Sequence, residues 1–170
     1  MFNLFYANAG RRNGDYYTMK LIDVLCSDEL SLSFEVFPPK TDTAFESVKG
    51  AAEEIARLKP SYISVTYGAG GGTSKFTLDI AKDIKESCGV PSLAHLTCVS
   101  STRDRVHNMI EKIRAAGIQN VMALRGDLTD ELKEGDRSNW DYRHAVDLVR
   151  ELKDSGADFC IGGACYPEVH

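Results

Sequence analysis

Apolar positions along the chain follow two alternating patterns. Short apolar runs, LSLSFEVF, YISVTY, PSLAHLTC, NVMALRG and DFCIGGACY, are separated by longer segments in which apolar residues return every three or four positions. The runs end near Phe37, Tyr67, Thr97, Arg125 and Tyr166, at spacings of 30, 30, 28 and 41 residues. Such spacings fit one strand plus one crossover helix. Continuous rather than alternating apolar runs are expected of strands covered on both faces. The first run therefore predicts a buried strand built on Leu32, Phe34, Val36 and Phe37 and stopped by Pro38 and Pro39.

The intervening segments carry helical stripes: Phe45, Val48, Ala52 and Ile55; Phe76, Ile80 and Ile84; Val106, Met109, Ile113 and Ala116; Ala145, Val149 and Leu152. Thr43 and Glu46 have the spacing of a capping box at the start of the first. Gly117 and Gly156 stand where a helix turns left-handed to end. Strands alternating with helices mean parallel βαβ units, hence an α/β class. Periodicity leaves two architectures open, a doubly wound sheet or part of an eight-stranded barrel. Residues 1–18 are polar, Gly/Asn-rich and aromatic. They lack the order of a secretory signal and are assigned no element. They are read as an N-terminal extension of low order, with the domain proper over 19–170, where Met19 begins the better pattern MKLIDVL.

Composition narrows the partners. A length of 170 residues with 43% hydrophobic content suffices for one domain with a real core. A net charge of −5 argues against a nucleic-acid partner. No apolar run approaches the ~20 residues of a membrane-spanning helix. Five cysteines, an odd number without any CxxC, suit buried thiols in a reducing cytosol, so a cytoplasmic location is expected. His95 and Cys98 form an isolated HxxC with no second pair at ligand spacing, so no metal site is expected.

The polar residues gather where ligands bind in either architecture, at the C-terminal ends of the strands. Glu35 interrupts the first run. Thr66 and Tyr67 close the second and lead into GAGGG, Gly68 to Gly72. His95 and Thr97 lie in the third. Leu124, Arg125, Gly126 and Asp127 close the fourth, and Tyr166, Glu168 and His170 follow the fifth. Each has a structural explanation as well. Glu35 as an edge carboxylate paired with Arg125, His95 as a hydrogen-bonded core histidine, and GAGGG as a permissive turn all fit the pattern. GAGGG lacks the GxxxxGK[ST] and GxGxxG spacings, so its signal for a nucleotide phosphate is weak. The stretch Asp127, Asp130, Glu131, Glu134 and Asp136 makes an acidic, solvated loop of about 13 residues, a length often functional.

SFEVFPPK, SVTYGAGGG, AHLTC, ALRGD and YPEVH, in this order and over Leu30 to His170, resemble the methylenetetrahydrofolate reductase family. The resemblance implies a (β/α)8 barrel of TIM type carrying FAD across its C-terminal rim. NADH or NADPH reduces the flavin, and 5,10-methylenetetrahydrofolate becomes 5-methyltetrahydrofolate. By the same resemblance Glu35 is the general acid and Asp127 lies near the flavin pyrimidine edge and the pterin. Thr66, Tyr67, Ala69, His95, Leu124, Arg125, Gly126, Asp127, Tyr142, Tyr166 and His170 match flavin-holding positions. The chemistry suits these residue types. The substrate's five-membered ring opens only if its departing nitrogen receives a proton, and a carboxyl on a largely apolar strand end is a place where acidity is tuned.

A complete barrel takes eight strands and typically ~250 residues, whereas about five strands are legible here. The chain is therefore read as a partial barrel, a fragment or the product of a truncated reading frame, whose full-length parent is expected to be a homo-oligomer. GGACY differs from the Ala-Ala-Tyr associated with the fifth strand, placing Cys165 where the family has alanine. Two other readings stay open at this stage: a pterin or one-carbon barrel without flavin, and an inactive fragment acting by association.

Overall fold

Each predicted stripe folds as a helix, and the burial explains why. The computed structural model describes residues 2–6, 19–27, 30–39, 41–67, 74–128 and 140–165. In chain order the elements are β1 (Phe2–Tyr6), α1 (Leu21–Leu25), β2 (Ser33–Val36), a 3-10 turn (Asp42–Ala44), α2 (Phe45–Ala56), β3 (Tyr62–Val65), α3 (Ser74–Glu86), β4 (Ser92–Thr97), α4 (Arg103–Ala115), β5 (Asn120–Leu124), α5 (Ala145–Asp154) and β6 (Cys160–Cys165). Ile80 and Ile84 of α3, and Val106, Met109, Ile110 and Ile113 of α4, are all buried. Each such aliphatic side chain contributes roughly 1.5–3 kcal/mol by leaving water.

The helix ends show how the local sequence works. Thr102 Oγ1 accepts a hydrogen bond from the Arg105 amide (3.3 Å) and starts α4. Gly117, at φ +67°, ends it. Lys85 Nζ then donates to the Gly117 carbonyl at 2.5 Å, a cation at the negative end of the helix dipole. In α5 the buried residues are Leu148 and Leu152, so the apolar stripe runs through Leu148 rather than Ala145. The capping box expected at Thr43 does not form. The chain enters α2 through the 3-10 turn, and Thr43 Oγ1 pairs with Thr41 Oγ1 at 3.0 Å instead of capping an amide.

The sheet order is β1-β6-β5-β4-β3-β2. Strands β2 to β6 are parallel neighbours in strict chain order. A doubly wound sheet reverses its order at a switch point; a barrel wall does not. The five strands therefore form the first part of a TIM-type α/β barrel, an incomplete barrel. Residues 1–18, to which the apolar pattern assigned no element, contribute one described strand. Phe2–Tyr6 form a sixth strand, antiparallel to β6, with Phe2 opposite Cys165 and Tyr6 opposite Ile161. Residues 7–18 lie outside the described residues.

Register divides the sheet into two faces. The outer face, including Val36, Ile63, Val65, Ala94, Leu96, Val121, Ala123 and Ile161, packs with α2 to α5 into the large core. The inner face carries Tyr62, Leu93, Met122 and Cys160, covered by Leu21 of α1. Asn120 fixes that cover. Its Oδ1 accepts from the Leu21 amide (2.9 Å), and its Nδ2 donates to the carbonyls of Met19 and Ser92 (3.2 Å each). All of this closes the N-terminal end of the inner face and leaves the polar residues to the other end.

The first run is only partly buried. Val36 is enclosed, but Leu32 is 52% and Phe37 68% exposed. Among the described residues β2 has a neighbour on one side only, β3, so its apolar residues flank an open edge.

Candidate active site

Glu35 lies on the inner face because register pairs it with Ser64, with Phe34 and Val36 turned toward the helix side. Its Oε2 is 3.3 Å from Ser64 Oγ and 3.6 Å from His95 Nε2. Three strands, β2, β3 and β4, thus bring a carboxylate, a hydroxyl and an imidazole to one point. The Glu35 side chain is 46% exposed and that of His95 12%. The apolar enclosure expected for Glu35 is therefore half open to solvent. Glu35 is engaged by Ser64 and His95 rather than by Arg125, so the alternative of a Glu35–Arg125 pair is set aside. Burial lowers the proton affinity of His95, with Glu35 pulling the other way. The ring stays neutral at pH 7 and presents one N–H and one lone pair.

The ends of β3, β4 and β5 supply the rest of the rim. Thr66 is half-buried, its amide bonded to the Val36 carbonyl and its carbonyl to Thr77 Oγ1. Thr97 pairs with Leu124 in the register. After Leu124 the chain folds back over the end of β4: the amides of Cys98 and Val99 donate to the Arg125 carbonyl at 3.3 and 2.8 Å. Arg125 is half-buried, and its Nε donates to the Gly126 carbonyl at 3.3 Å. Gly126 has φ +90°, and a Cβ there would stand 2.8 Å from Val99 Cγ1 and 3.0 Å from Thr97 Cβ. Only glycine fits this turn. It leaves Asp127 exposed just beyond the strand end.

Not every expected residue joins this group. Tyr67 packs against the helix-side core. Tyr142 is 2% exposed within the same core, its hydroxyl enclosed near Glu151 without a well-formed hydrogen bond. Burial, and then Glu151, push that hydroxyl up to about 12. The side chains of Tyr67 and Tyr142 thus lie on the opposite face of the sheet from Glu35. Ala69 and the rest of GAGGG, together with Tyr166, Glu168, His170 and the acidic stretch after Asp127, lie outside the described residues. His95 and Cys98 diverge: Cys98 sits in the helix-side core with its thiol toward the His144 carbonyl. All five cysteines are free thiols. Among the described residues no helix is long and apolar enough to cross a membrane. A water-sized hollow bounded by Ser92, Gln119 and Asn120 lies at the closed end, away from the polar rim.

Ser64 is the residue that the sequence pattern hid, because YISVTY reads as one apolar run. The signal was its alternation: Tyr62, Ser64 and Thr66 share the side opposite Ile63 and Val65.

The fit of this rim to a flavin can be judged from the side chains present. A neutral imidazole, two threonines and a guanidinium stand at the strand ends, able to donate to and accept from a polar ring edge. Along β6, Gly162 and Ala164 share the inner side with Cys160 and keep that wall nearly free of side-chain bulk. A flat, polar-edged ring system suits such a surface.

Residues 20–170 match the profile of the methylenetetrahydrofolate reductase family. The chain is 40% identical over 141 residues to a 5,10-methylenetetrahydrofolate reductase of Pectobacterium carotovorum, covering 83% of this chain and 45% of the relative. It is 38% identical over 142 residues to the 5,10-methylenetetrahydrofolate reductase of Escherichia coli K12, covering 84% and 46%. It is 34% identical over 157 residues to methylenetetrahydrofolate reductase (NADH) 1 of Arabidopsis thaliana, covering 89% and 26%. The chain thus spans somewhat under half the length of these bacterial relatives.

Proposed function

The chain belongs to the methylenetetrahydrofolate reductase family, and from that premise we propose that it carries the acid-bearing part of an FAD-dependent reductase. The reaction is the conversion of 5,10-methylenetetrahydrofolate to 5-methyltetrahydrofolate, with NADH or NADPH as the electron source. A bound FAD would supply the hydride carrier between nicotinamide and folate. Thr66, His95, Arg125 and the backbone around Gly126 would hold it. Asp127 would lie near the ring's polar edge and near the pterin. A cytoplasmic setting accords with this reading.

The observation that carries the reading is the meeting of Glu35, Ser64 and His95 on the inner face. Opening the folate's five-membered ring needs a proton on the departing nitrogen. Glu35 would deliver it, being a carboxyl that reaches solvent on one side and the inner face on the other. His95, neutral and mostly enclosed, would set one wall of the acid's position without a competing positive charge. Arg125 would give the site its fixed cation.

In flavin-loaded protein, Glu35→Gln is expected to lower methylenetetrahydrofolate reduction by roughly 10²–10⁴-fold. Flavin reduction by the nicotinamide should change far less. Stopped-flow absorbance separates the two half-reactions, and equal losses in both would remove the acid role.

A further inference from the structure

Ser64 is 6% exposed and stands opposite Glu35 in the β2–β3 register. Its Oγ lies 3.3 Å from Glu35 Oε2 and 3.4 Å from the Phe34 carbonyl oxygen. Both separations exceed the ~2.7–2.8 Å of a committed O–H···O bond. One hydroxyl proton is therefore shared between two acceptors. A serine hydroxyl also accepts, through lone pairs of its own.

We propose that Ser64 is the positioning residue for Glu35, holding its carboxyl in both protonation states by turning one hydroxyl between Glu35 and the Phe34 carbonyl. When Glu35 is ionised, the Ser64 O–H donates to Oε2. When Glu35 is protonated, its own O–H donates to Ser64 Oγ, and the Ser64 O–H donates to the Phe34 carbonyl instead. Each proton stays on its own oxygen; only the direction of donation reverses. No buried donor is orphaned in either state, which spares the penalty of an unmade bond. His95 is the other titratable group facing the carboxyl, but at 3.6 Å it is too distant for a committed hydrogen bond. A general acid must lose and regain its proton in every turnover, and a carboxyl on an edge strand, 46% exposed, would otherwise swing into solvent. Misplacing a reacting group by about 1 Å can cost on the order of 10²-fold.

This assignment rests on Glu35 being the acid, and the tests keep the two apart. In the 170-residue chain, the infrared carboxyl band of protonated Glu35 is isolated by difference against Glu35→Gln. Ser64→Ala is expected to move that band to higher frequency, and Ser64→Thr, which keeps the hydroxyl, to return it. In flavin-loaded protein Ser64→Ala is expected to slow folate reduction about 10-fold, with no further loss when combined with Glu35→Gln. A band indifferent to Ser64→Ala, a threonine variant behaving like the alanine one, or an equal loss in both backgrounds would each overturn the role of Ser64. Undiminished folate reduction in Glu35→Gln would overturn the acid reading itself.

Discussion

At position 95 an imidazole sits mostly enclosed, 12% exposed, with one carboxylate 3.6 Å away. Burial is the larger influence and holds the ring's proton affinity down, while Glu35 opposes it. The unfolded chain takes up this proton near the ordinary histidine value of about 6.5. The folded chain takes it up only at lower pH. As pH falls below about 6.5 the unfolded state therefore binds more protons, and stability declines until the folded value is passed; above about 6.5 neither state is penalised. His95→Gln should flatten this slope. Urea midpoints measured between about pH 5 and pH 8 test it, and parallel curves for the two proteins would refute it. At this scale the sequence disclosed Glu35 and His95 because a carboxylate and an imidazole stand out in apolar runs. It concealed Ser64, whose importance exists only through a register partner 29 residues away. It also could not say on which face Tyr67 or Tyr142 would lie, since a motif position carries no direction.

Helix α5 shows how much of an element's stability rests on its first turn. The Asp147 carboxylate accepts hydrogen bonds from the His144 and Arg143 amides at 3.1 and 3.2 Å. These bonds, that from His144 the strongest, hold its pKa below the usual carboxylate value, with Arg150 aiding. The stabilisation is complete above the unfolded value of about 3.9 and disappears as pH falls through the lower folded one. Asp147→Ala should cost about 0.5–1 kcal/mol at neutral pH. The difference from the parent should vanish in strong acid, and urea unfolding at the two pH values checks both halves of the claim. The long elements were legible because three or four turns repeat a stripe often enough to be read. Helix α1 was not, since five residues of MKLIDVL hardly complete a turn and a half. The expected cap at Thr43 failed because the 3-10 turn begins one residue earlier and takes up its hydroxyl.

For the molecule as a whole, strand order carries more than any strand's own sequence. The five parallel strands follow chain order, which the near-constant spacing suggested but periodicity could not decide. The antiparallel β1 was illegible for another reason: its partner lies at the far end of the chain, and five residues in a Gly/Asn-rich segment carry no period. Its register is directly testable. Phe2 stands opposite the native Cys165, so Phe2→Cys should form a cross-strand disulfide under mild oxidation, as register partners lie within the Cα span that such a bond requires. Peptide mapping would detect the link, and a crosslink to any other cysteine would disprove the pairing. The reversed direction of this one strand has a practical outcome. It runs against its neighbours, so it starts where they finish, and residue 2 lies at the same end of the sheet as Glu35 and His95, on the edge opposite β2. A small fluorophore attached at that strand's start would thus report on ligands that reach this end of the sheet, and a bulky group there would crowd them.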